Sequence, residues 1–183
     1  MQFEETPLKG CYVIRTTPFV DHRGAFARLF CERELKQVIG DRKIVNVNFS
    51  RTAKRGAIRG MHFQYPPMAE MKFVRCIFGS VYDVVIDIRE NSPTFLQWYG
   101  LELTAENMKM LCIPEGFAHG FQVLQDSSEM LYLHTEYYSK EHEGALNFAD
   151  PTLAINWPLE PTIVSARDTN HRMIDDTFEG VTL

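Results

Sequence analysis

The chain has 183 residues, of which 45% are hydrophobic and 23% charged, a composition typical of one globular domain with a sizeable core. Its formal net charge of -5 offers no long-range attraction to nucleic acid or to an anionic membrane surface, so neither is an expected partner. No apolar run approaches the roughly 18 residues that a membrane-spanning helix needs.

The first residues and the cysteines indicate the compartment. The segment MQFEETPLKG has neither the basic nor the apolar region of a secretory signal, so no signal peptide is expected. Cys11, Cys31, Cys76 and Cys112 lack CxxC spacing, which favours neither a zinc site nor a redox motif. We therefore expect a reducing, cytoplasmic setting.

The first part of the chain predicts short strands and one helix. A β-branched run, a strand–turn–strand corner, a helix and an alternating strand are expected in turn at residues 11–15, 19–30, 32–39 and 44–50. The helix is predicted because Leu35, Val38 and Ile39 share one face, and Gly40 suits its C-terminal end.

The next segment, GAIRGMHFQYPPMAEMKFVR at residues 56–75, carries a histidine and a lysine on two neighbouring predicted strands. Strict alternation puts His62 and Arg59 on opposite faces of the first strand, and puts Lys72 and Val74 on one face of the second. Because a buried idle His or Lys is costly, the pair indicates a base and a cation facing one cavity. The alternative is a hydrogen-bonded core histidine and a lysine whose stem reaches to water.

Further strands are predicted at a spacing of roughly 8–12 residues, with turn signals between them. They occupy residues 81–88, 98–103, 109–113, 117–124 and 129–135. Beyond residue 138 the pattern weakens, and short helices are expected within 139–144 and 165–174. This spacing predicts an all-β sandwich, jelly roll or barrel, and the lack of a linker predicts one domain over residues 1–183.

Other side chains can carry chemistry, each with a structural alternative. His119 follows a Pro-x-Gly turn that directs the next strand into the interior. Tyr132 can point its hydroxyl into a cavity, although an isolated tyrosine is also an ordinary core residue. Asp168 completes a Ser-x-x-Asp pattern, which by itself is a helix-capping box. Arg23 and Arg59 each precede a glycine and can clamp a pyrophosphate, or they are solvated surface arginines.

The motifs argue against a cupin-type metal site. The run PEGFAH, which ends at His119, resembles the second motif of cupin barrels. Metal-binding cupins pair that motif with His-x-His, but the corresponding positions here read His62-Phe63-Gln64. A metal would need His62, His119 and another ligand, and Lys72 is a rival cation, so no metal is expected.

A set of motifs stands in order along nearly the whole chain: FVDHRGAF at 19–26, RGMHFQ at 59–64, KFV at 72–74, DIRENSPT at 87–94, IPEGFAHGF at 113–121, Tyr132, Tyr137-Tyr138, Asp150-Pro151, INWP at 155–158 and SARD at 165–168. Together they resemble the dTDP-4-dehydrorhamnose 3,5-epimerase family of nucleotide-sugar epimerases. No single motif is decisive, but the ordered set is highly specific.

The resemblance implies a cupin-type double-stranded β-helix (jelly roll) with short peripheral helices, which needs no metal or other cofactor and forms a homodimer. The implied substrate is a nucleoside-diphosphate 4-keto-6-deoxyhexose in deoxysugar and polysaccharide biosynthesis, including lipopolysaccharide O-antigen. The implied reaction removes a proton α to the ketone, from C3 or C5, and reprotonates the enolate on the opposite face.

The resemblance also implies roles for individual residues. His62 is the base, Asp168 orients its imidazole, Lys72 stabilises the enolate oxygen, and Tyr132 is the acid. Arg23, Arg59 and His119 bind the diphosphate, Glu143 binds the substrate, and Tyr138 stacks on the base or the sugar.

The chain departs from the family pattern where the nucleotide base is held. Arg28 stands at a usual Glu, and Asn46-Val47-Asn48 stands at a usual Gln-Asp-Asn, so thymidine, cytidine, uridine and guanosine nucleotides all stay open. Arg167 replaces a usual lysine and keeps a cation. Leu133-His134 replaces Lys-Thr, so inversion at C3, C5 or both stays open.

Two other functions are compatible with the motifs. One is a non-catalytic cupin that binds a sugar, and the other is a metal-dependent cupin enzyme. The joint presence of His62, Lys72, Tyr132 and Asp168 favours the epimerase.

Overall fold

The computed structural model describes residues 1–183, which form thirteen strands and two short helices. The strands are β1 (Gln2–Glu5), β2 (Tyr12–Arg15), β3 (Phe19–Asp21), β4 (Gly24–Phe26), β5 (Asn46–Thr52), β6 (Ile58–Gln64), β7 (Lys72–Phe78), β8 (Ser80–Asp87), β9 (Trp98–Thr104), β10 (Lys109–Ile113), β11 (Phe117–Val123), β12 (Ser128–His134) and β13 (Glu143–Ala145). The helices are α1 (Glu32–Ile39) and α2 (Ala166–Thr169). Neither helix has the length and apolarity needed to cross a membrane. The predicted all-β class is confirmed.

Two antiparallel sheets make up the body of the molecule. One has the order β1-β2-β10-β7-β12-β5, the other has the order β13-β6-β11-β8-β9, and β3 pairs with β4 in a separate hairpin. The largest buried cluster takes residues from both sheets, among them Val74 and Met130 from the first and Val85 and Phe121 from the second. The alternating residues of the two inner faces therefore form the core, as in other β-sandwiches.

Helix α1 covers part of the outer face of the six-stranded sheet. Its buried residues Leu35 and Ile39 join a cluster with Ile14, Phe73 and Met110. The helix ends at Gly40, whose φ of +63° lies in the left-handed region and whose N–H donates to the Lys36 carbonyl oxygen. The helix predicted at residues 32–39 is therefore confirmed.

The C-terminal part of the chain covers the outer face of the other sheet, mostly without regular structure. Leu146, Leu153 and Val181 pack there against Met61 and Ile86. The helix expected within residues 139–144 is wrong, because β13 begins at Glu143 and pairs with β6. The helix expected within 165–174 is confirmed only as the single turn of α2.

The DIRENSPT motif fixes a connection in the fold. The buried Asp87 carboxylate accepts hydrogen bonds from Arg89 Nε at 2.8 Å, Ser92 Oγ at 2.6 Å and Thr94 Oγ1 at 2.6 Å. These charge-assisted bonds hold the loop between β8 and β9.

The hairpin of β3 and β4 leaves apolar side chains in solvent. Phe19 and Phe26 pair across it, and they are 78% and 74% exposed. The predicted strand–turn–strand corner is confirmed, but its aromatic residues do not join the core of this chain.

Candidate active site

A cavity of about 520 Å³ lies between the two sheets. Strands β5, β7 and β12 contribute one wall, and β6, β11 and the segment that leads into α2 contribute the other. Its polar lining includes Asn48, Ser50, Arg59, His62, Glu70, Lys72, His119, Tyr132, His134, Arg167 and Asp168. All four residues expected to carry catalysis therefore face one space.

A break in the register of β6 shapes the wall that carries His62. His62 pairs with His119, but Arg59, three residues earlier, pairs with Phe121, only two residues beyond His119. This bulge adds one residue to β6, so Arg59 and His62 both line the cavity. The strict alternation predicted for this strand, with Arg59 opposite His62, is wrong for that reason.

Two glycines let β6 and β11 approach closely at the bulge. A Cβ on Gly60 would lie 2.5 Å from the Gly120 Cα atom. A Cβ on Gly120 would lie 2.5 Å from Met61 Sδ and 2.7 Å from the Arg59 carbonyl oxygen. Any side chain at either position would push the two strands apart beside His62.

His62 is held by a carboxylate that comes from another element. Its Nε2 lies 2.8 Å from Asp168 Oδ1, while the Asp168 N–H donates to Ser165 Oγ at 3.0 Å. Burial by itself raises the pKa of Asp168, but the hydrogen bond and charge of His62 outweigh it, so the pKa is lowered. Asp168 therefore belongs to the N-terminal cap of α2 and also holds the His62 imidazole. The helix-capping and the functional interpretations of the Ser-x-x-Asp pattern are thus compatible.

Lys72 lies beside the carboxylate of Glu70, a residue that belongs to none of the sequence motifs. Its Nζ is 3.0 Å from Glu70 Oε1, and Glu70 Oε2 is 2.7 Å from His134 Nδ1. Burial acts to raise the pKa of Glu70, but Lys72 and His134 together lower it to about 2. Two signals could have identified the group: Glu70 precedes Lys72 by two residues, and His134 pairs with Lys72 across β7 and β12.

Tyr132 lies on the six-stranded sheet, and His62 lies on the facing sheet. Its hydroxyl is 2.8 Å from Ser50 Oγ, and its ring stacks on His134 with centroids 6.2 Å apart. Burial raises the pKa of Tyr132, so the phenol stays protonated at neutral pH.

His119 and Arg59 both line the cavity, and the side chain of each contacts another polar side chain. His119 Nε2 is 2.9 Å from Asp83 Oδ2, and burial raises the pKa of that carboxyl despite the imidazole. Arg59 Nε donates to Thr52 Oγ1 at 2.9 Å. Asp83 lies within the strand predicted at residues 81–88 and had no predicted role in the site.

The other expected binding residues are divided between the cavity and the surface. Arg167 lines the cavity, and it forms an ion pair with Glu143, whose Oε2 accepts from the Tyr138 hydroxyl at 3.2 Å. Asn48 is also in the lining, whereas Asn46 donates to the Glu136 carbonyl oxygen at 3.4 Å outside it.

The remaining two lie outside the cavity of their own chain. Arg23 pairs with Asp21 on the exposed hairpin, and Arg28 pairs with Glu34 at 2.8 Å on helix α1. A single chain therefore does not bring either residue to the cavity that contains Arg59 and His119.

Side chains able to bind a metal gather at a place that the cupin motifs do not predict. His62, Asp168 and His171 offer ligand atoms that all lie within 4.8 Å of one another. His119 is not in this group, because its Nε2 faces Asp83. His171 was not identified from the sequence, where it follows the SARD motif without a pattern of its own.

Comparison with known proteins identifies the family. The sequence model of dTDP-4-dehydrorhamnose 3,5-epimerase matches residues 5–176. The Shigella flexneri dTDP-4-dehydrorhamnose 3,5-epimerase is 38% identical over 177 residues, which are 96% of this chain and 97% of that protein.

Solved structures agree. The crystal structure of the Elizabethkingia anophelis dTDP-4-dehydrorhamnose 3,5-epimerase is 39% identical with a TM-score of 0.91, and the match covers 97% of this chain and 98% of that one. The same enzyme from Bacillus anthracis, with TDP and PPi bound, is 36% identical with a TM-score of 0.91 and coverage of 94% and 99%. The cupin-type jelly roll expected from the motifs is confirmed. The chain belongs to the dTDP-4-dehydrorhamnose 3,5-epimerase family and is a carbohydrate epimerase.

Proposed function

We propose that this enzyme epimerises a dTDP-4-keto-6-deoxyhexose at C3 and C5, in deoxysugar biosynthesis. The observation that carries the proposal is the placement of the His62–Asp168 pair and Tyr132 on facing walls of one cavity, with Lys72 in the same lining. An epimerase needs this arrangement, because the proton must leave one face of the sugar and return to the other.

The first step is removal of a proton by His62. Asp168 holds the Nε2 side of the imidazole, which leaves Nδ1 to accept the proton from C3 or C5. The C–H bond breaks, its electron pair forms the enolate, and the negative charge moves to the C4 oxygen. The Lys72 ammonium, held in the lining by Glu70, stabilises that oxygen.

The second step returns a proton from the opposite wall. Tyr132 is neutral, so its hydroxyl can donate to the enolate carbon, and the Ser50 hydroxyl stabilises the phenolate that remains. A new C–H bond then forms on the other face of the sugar. Transfer of a proton from His62 back to Tyr132 through solvent completes the cycle, and no electrons leave the substrate.

The nucleotide is expected at the part of the cavity that carries Arg59 and Arg167. Each of their guanidinium groups can form bidentate hydrogen bonds with phosphate oxygens. The Bacillus anthracis relative has TDP and PPi bound, which supports a thymidine diphosphate for this chain. Asn48 supplies an amide beside the same lining for the base or sugar.

A homodimer explains the residues that lie outside the cavity. Phe19 and Phe26 on the hairpin, and Val47 and Phe49 on the outer face of β5, are large apolar side chains in solvent. A second copy that covers them would bring the partner's Arg23 toward the diphosphate site. Four free cysteines support a reducing cytoplasm as the location. Light scattering on a sizing column tests the dimer, and a monomer at micromolar concentration contradicts it.

Hydrogen exchange tests the reaction directly. The enzyme is incubated with dTDP-4-keto-6-deoxyglucose in D₂O, and deuterium at C3 and C5 is followed by NMR. We expect deuterium and inverted configuration at both carbons, without loss of rate in EDTA. His62→Ala is the matched control and should abolish exchange. Tight binding without exchange would favour the non-catalytic cupin, and loss of activity in EDTA would favour the metal-dependent one.

A further inference from the structure

A second histidine shares the carboxylate that orients the base. His171 Nε2 lies 3.5 Å from Asp168 Oδ1, and the same oxygen is 2.8 Å from His62 Nε2. The two imidazole rings meet edge to face, with centroids 5.9 Å apart. His171 has no part in the proposed proton transfer, and its position beside Asp168 and His62 creates a second possible use for these side chains.

The Nε2 atom of His171 is shielded from solvent and has no hydrogen-bond partner. A buried polar nitrogen without a partner is costly, so a group that binds it is stabilised. Ligand atoms of Asp168 and His62 lie within 4.8 Å of the ligand atom of His171, and a carboxylate oxygen with imidazole nitrogens is a donor set that Zn²⁺ accepts.

The spacing suits one small cation. Zn²⁺ binds nitrogen and oxygen ligands at about 2.0–2.2 Å, so the ligand atoms of a tetrahedral ion lie roughly 3.3 Å apart. The contacts of 2.8 Å and 3.5 Å bracket that spacing, and all three ligand atoms lie within 4.8 Å of one another. Three protein ligands leave a fourth position open, and His62 and Asp168 both face the cavity.

We propose that His62, Asp168 and His171 form a Zn²⁺ site, and that bound zinc inhibits the epimerase. The inhibition rests on the proposed function, because zinc on His62 Nε2 displaces the Asp168 hydrogen bond that orients the base. The site shares His62 with the metal position of cupins but does not use His119, and the cupin position is left incomplete by Gln64. It is an inhibitory site and supplies no step of the reaction.

Metal binding is tested on the full chain after chelator treatment, by titration calorimetry with ZnCl₂ and by the visible spectrum with Co²⁺. We expect one site per chain and an intense Co²⁺ spectrum typical of tetrahedral coordination. His171→Asn should weaken zinc binding by at least the factor of about 10–100 that is lost when only a hydrogen-bond partner of a metal ligand is removed. His22→Asn is the matched control, because His22 is an exposed histidine on the hairpin, and Cys31→Ser controls for thiol binding.

NMR of the wild-type protein provides a second test that does not depend on whether the variant folds. Imidazole resonances of His62 and His171 should shift together on addition of one equivalent of zinc, while that of His22 should not. Zinc binding that does not depend on His171, or no shift of these two resonances, overturns the site.

Inhibition is measured separately by deuterium exchange at C3 and C5 with and without zinc. Zinc should inhibit the wild type at a concentration at least about 10–100 times lower than it inhibits His171→Asn. Equal sensitivity of both proteins contradicts the proposal. If the zinc-free enzyme shows no exchange, the proposed function fails, and calorimetry and NMR still decide the zinc site.

Discussion

The Lys72 ammonium lies 3.0 Å from the Glu70 carboxylate in the wall of the cavity, and both side chains are nearly buried. Glu70 also accepts a hydrogen bond at 2.7 Å from His134, so one carboxylate holds two basic groups. The arrangement fixes the cation in place before substrate arrives, which is the condition under which a charge stabilises an enolate most effectively.

Glu70 should make the stability of the wild type depend on pH in a defined direction, and its replacement should remove that dependence. The folded protein lowers the Glu70 pKa from 4.5 to about 2, so the ionised carboxylate stabilises the fold above the unfolded pKa. That contribution is lost as pH falls from about 4.5 toward 2. Glu70→Gln should therefore lower the free energy of unfolding by about 1–3 kcal/mol at pH 7, and the difference from the wild type should shrink as the pH falls and become small only near pH 2. Urea unfolding at pH 7, 4 and 2 measures it.

The control for this change is an exposed ion pair. Glu4 contacts Arg15 at the surface, and the same substitution there removes a carboxylate that solvent screens. Glu4→Gln should leave the urea midpoint at pH 7 almost unchanged. If the Glu70 variant is as stable as the wild type at pH 7, the buried Glu70–Lys72 pair makes no net contribution to the free energy of unfolding. Some buried ion pairs behave in this way because desolvation offsets their attraction.

Removal of the Lys72 charge should slow the reaction more than it weakens binding. Lys72→Met keeps much of the side-chain volume but removes the ammonium that we propose stabilises the enolate oxygen. We expect kcat to fall by a factor of about 10²–10³, with KM changed by less than about fivefold. Steady-state kinetics and calorimetric binding of dTDP separate the two effects. A large loss of dTDP affinity would instead place Lys72 at the diphosphate.

Regular strands were the most predictable part of the fold. The period of two in β7 and β8 correctly predicts which residues face the core, because each strand has one inner and one outer face. The bulge in β6 was not predictable in this way. It depends on pairing with β11, and the contact of Gly60 with Gly120 joins residues sixty positions apart.

The candidate site also depends on contacts between residues that are far apart in the sequence. Motifs identified His62, Lys72, Tyr132 and Asp168, and the cavity contains all four. Glu70 and His171 carried no motif, so their importance appeared only when folding placed them beside Lys72 and Asp168. The same holds for the C-terminal segment, whose irregular backbone covers a sheet without any periodic signal.

The close approach of β6 and β11 gives a steric prediction. The backbone of Gly120 is not in the left-handed region, so an alanine there causes no backbone strain and its effect is purely steric. Its Cβ would collide with Met61 Sδ and the Arg59 carbonyl oxygen. Gly120→Ala should lower the free energy of unfolding by about 1–3 kcal/mol and reduce kcat by shifting His62. Wild-type stability of Gly120→Ala would contradict the close approach.

Tyr132 provides the sharpest test of the two-wall arrangement. Phenylalanine keeps the ring that stacks on His134 but removes the hydroxyl that contacts Ser50. If His62 takes the proton and Tyr132 returns one to the other face, Tyr132→Phe should still exchange hydrogen on the His62 side. It should invert configuration more slowly by a factor of about 10²–10⁴. NMR in D₂O reads both quantities in one experiment, since deuterium without inversion and deuterium with inversion give different couplings. Ser50→Ala, which leaves the phenol in place, should slow inversion far less. Loss of all exchange in Tyr132→Phe would mean that the hydroxyl acts before the proton leaves, and the assignment of acid and base to opposite walls would be wrong.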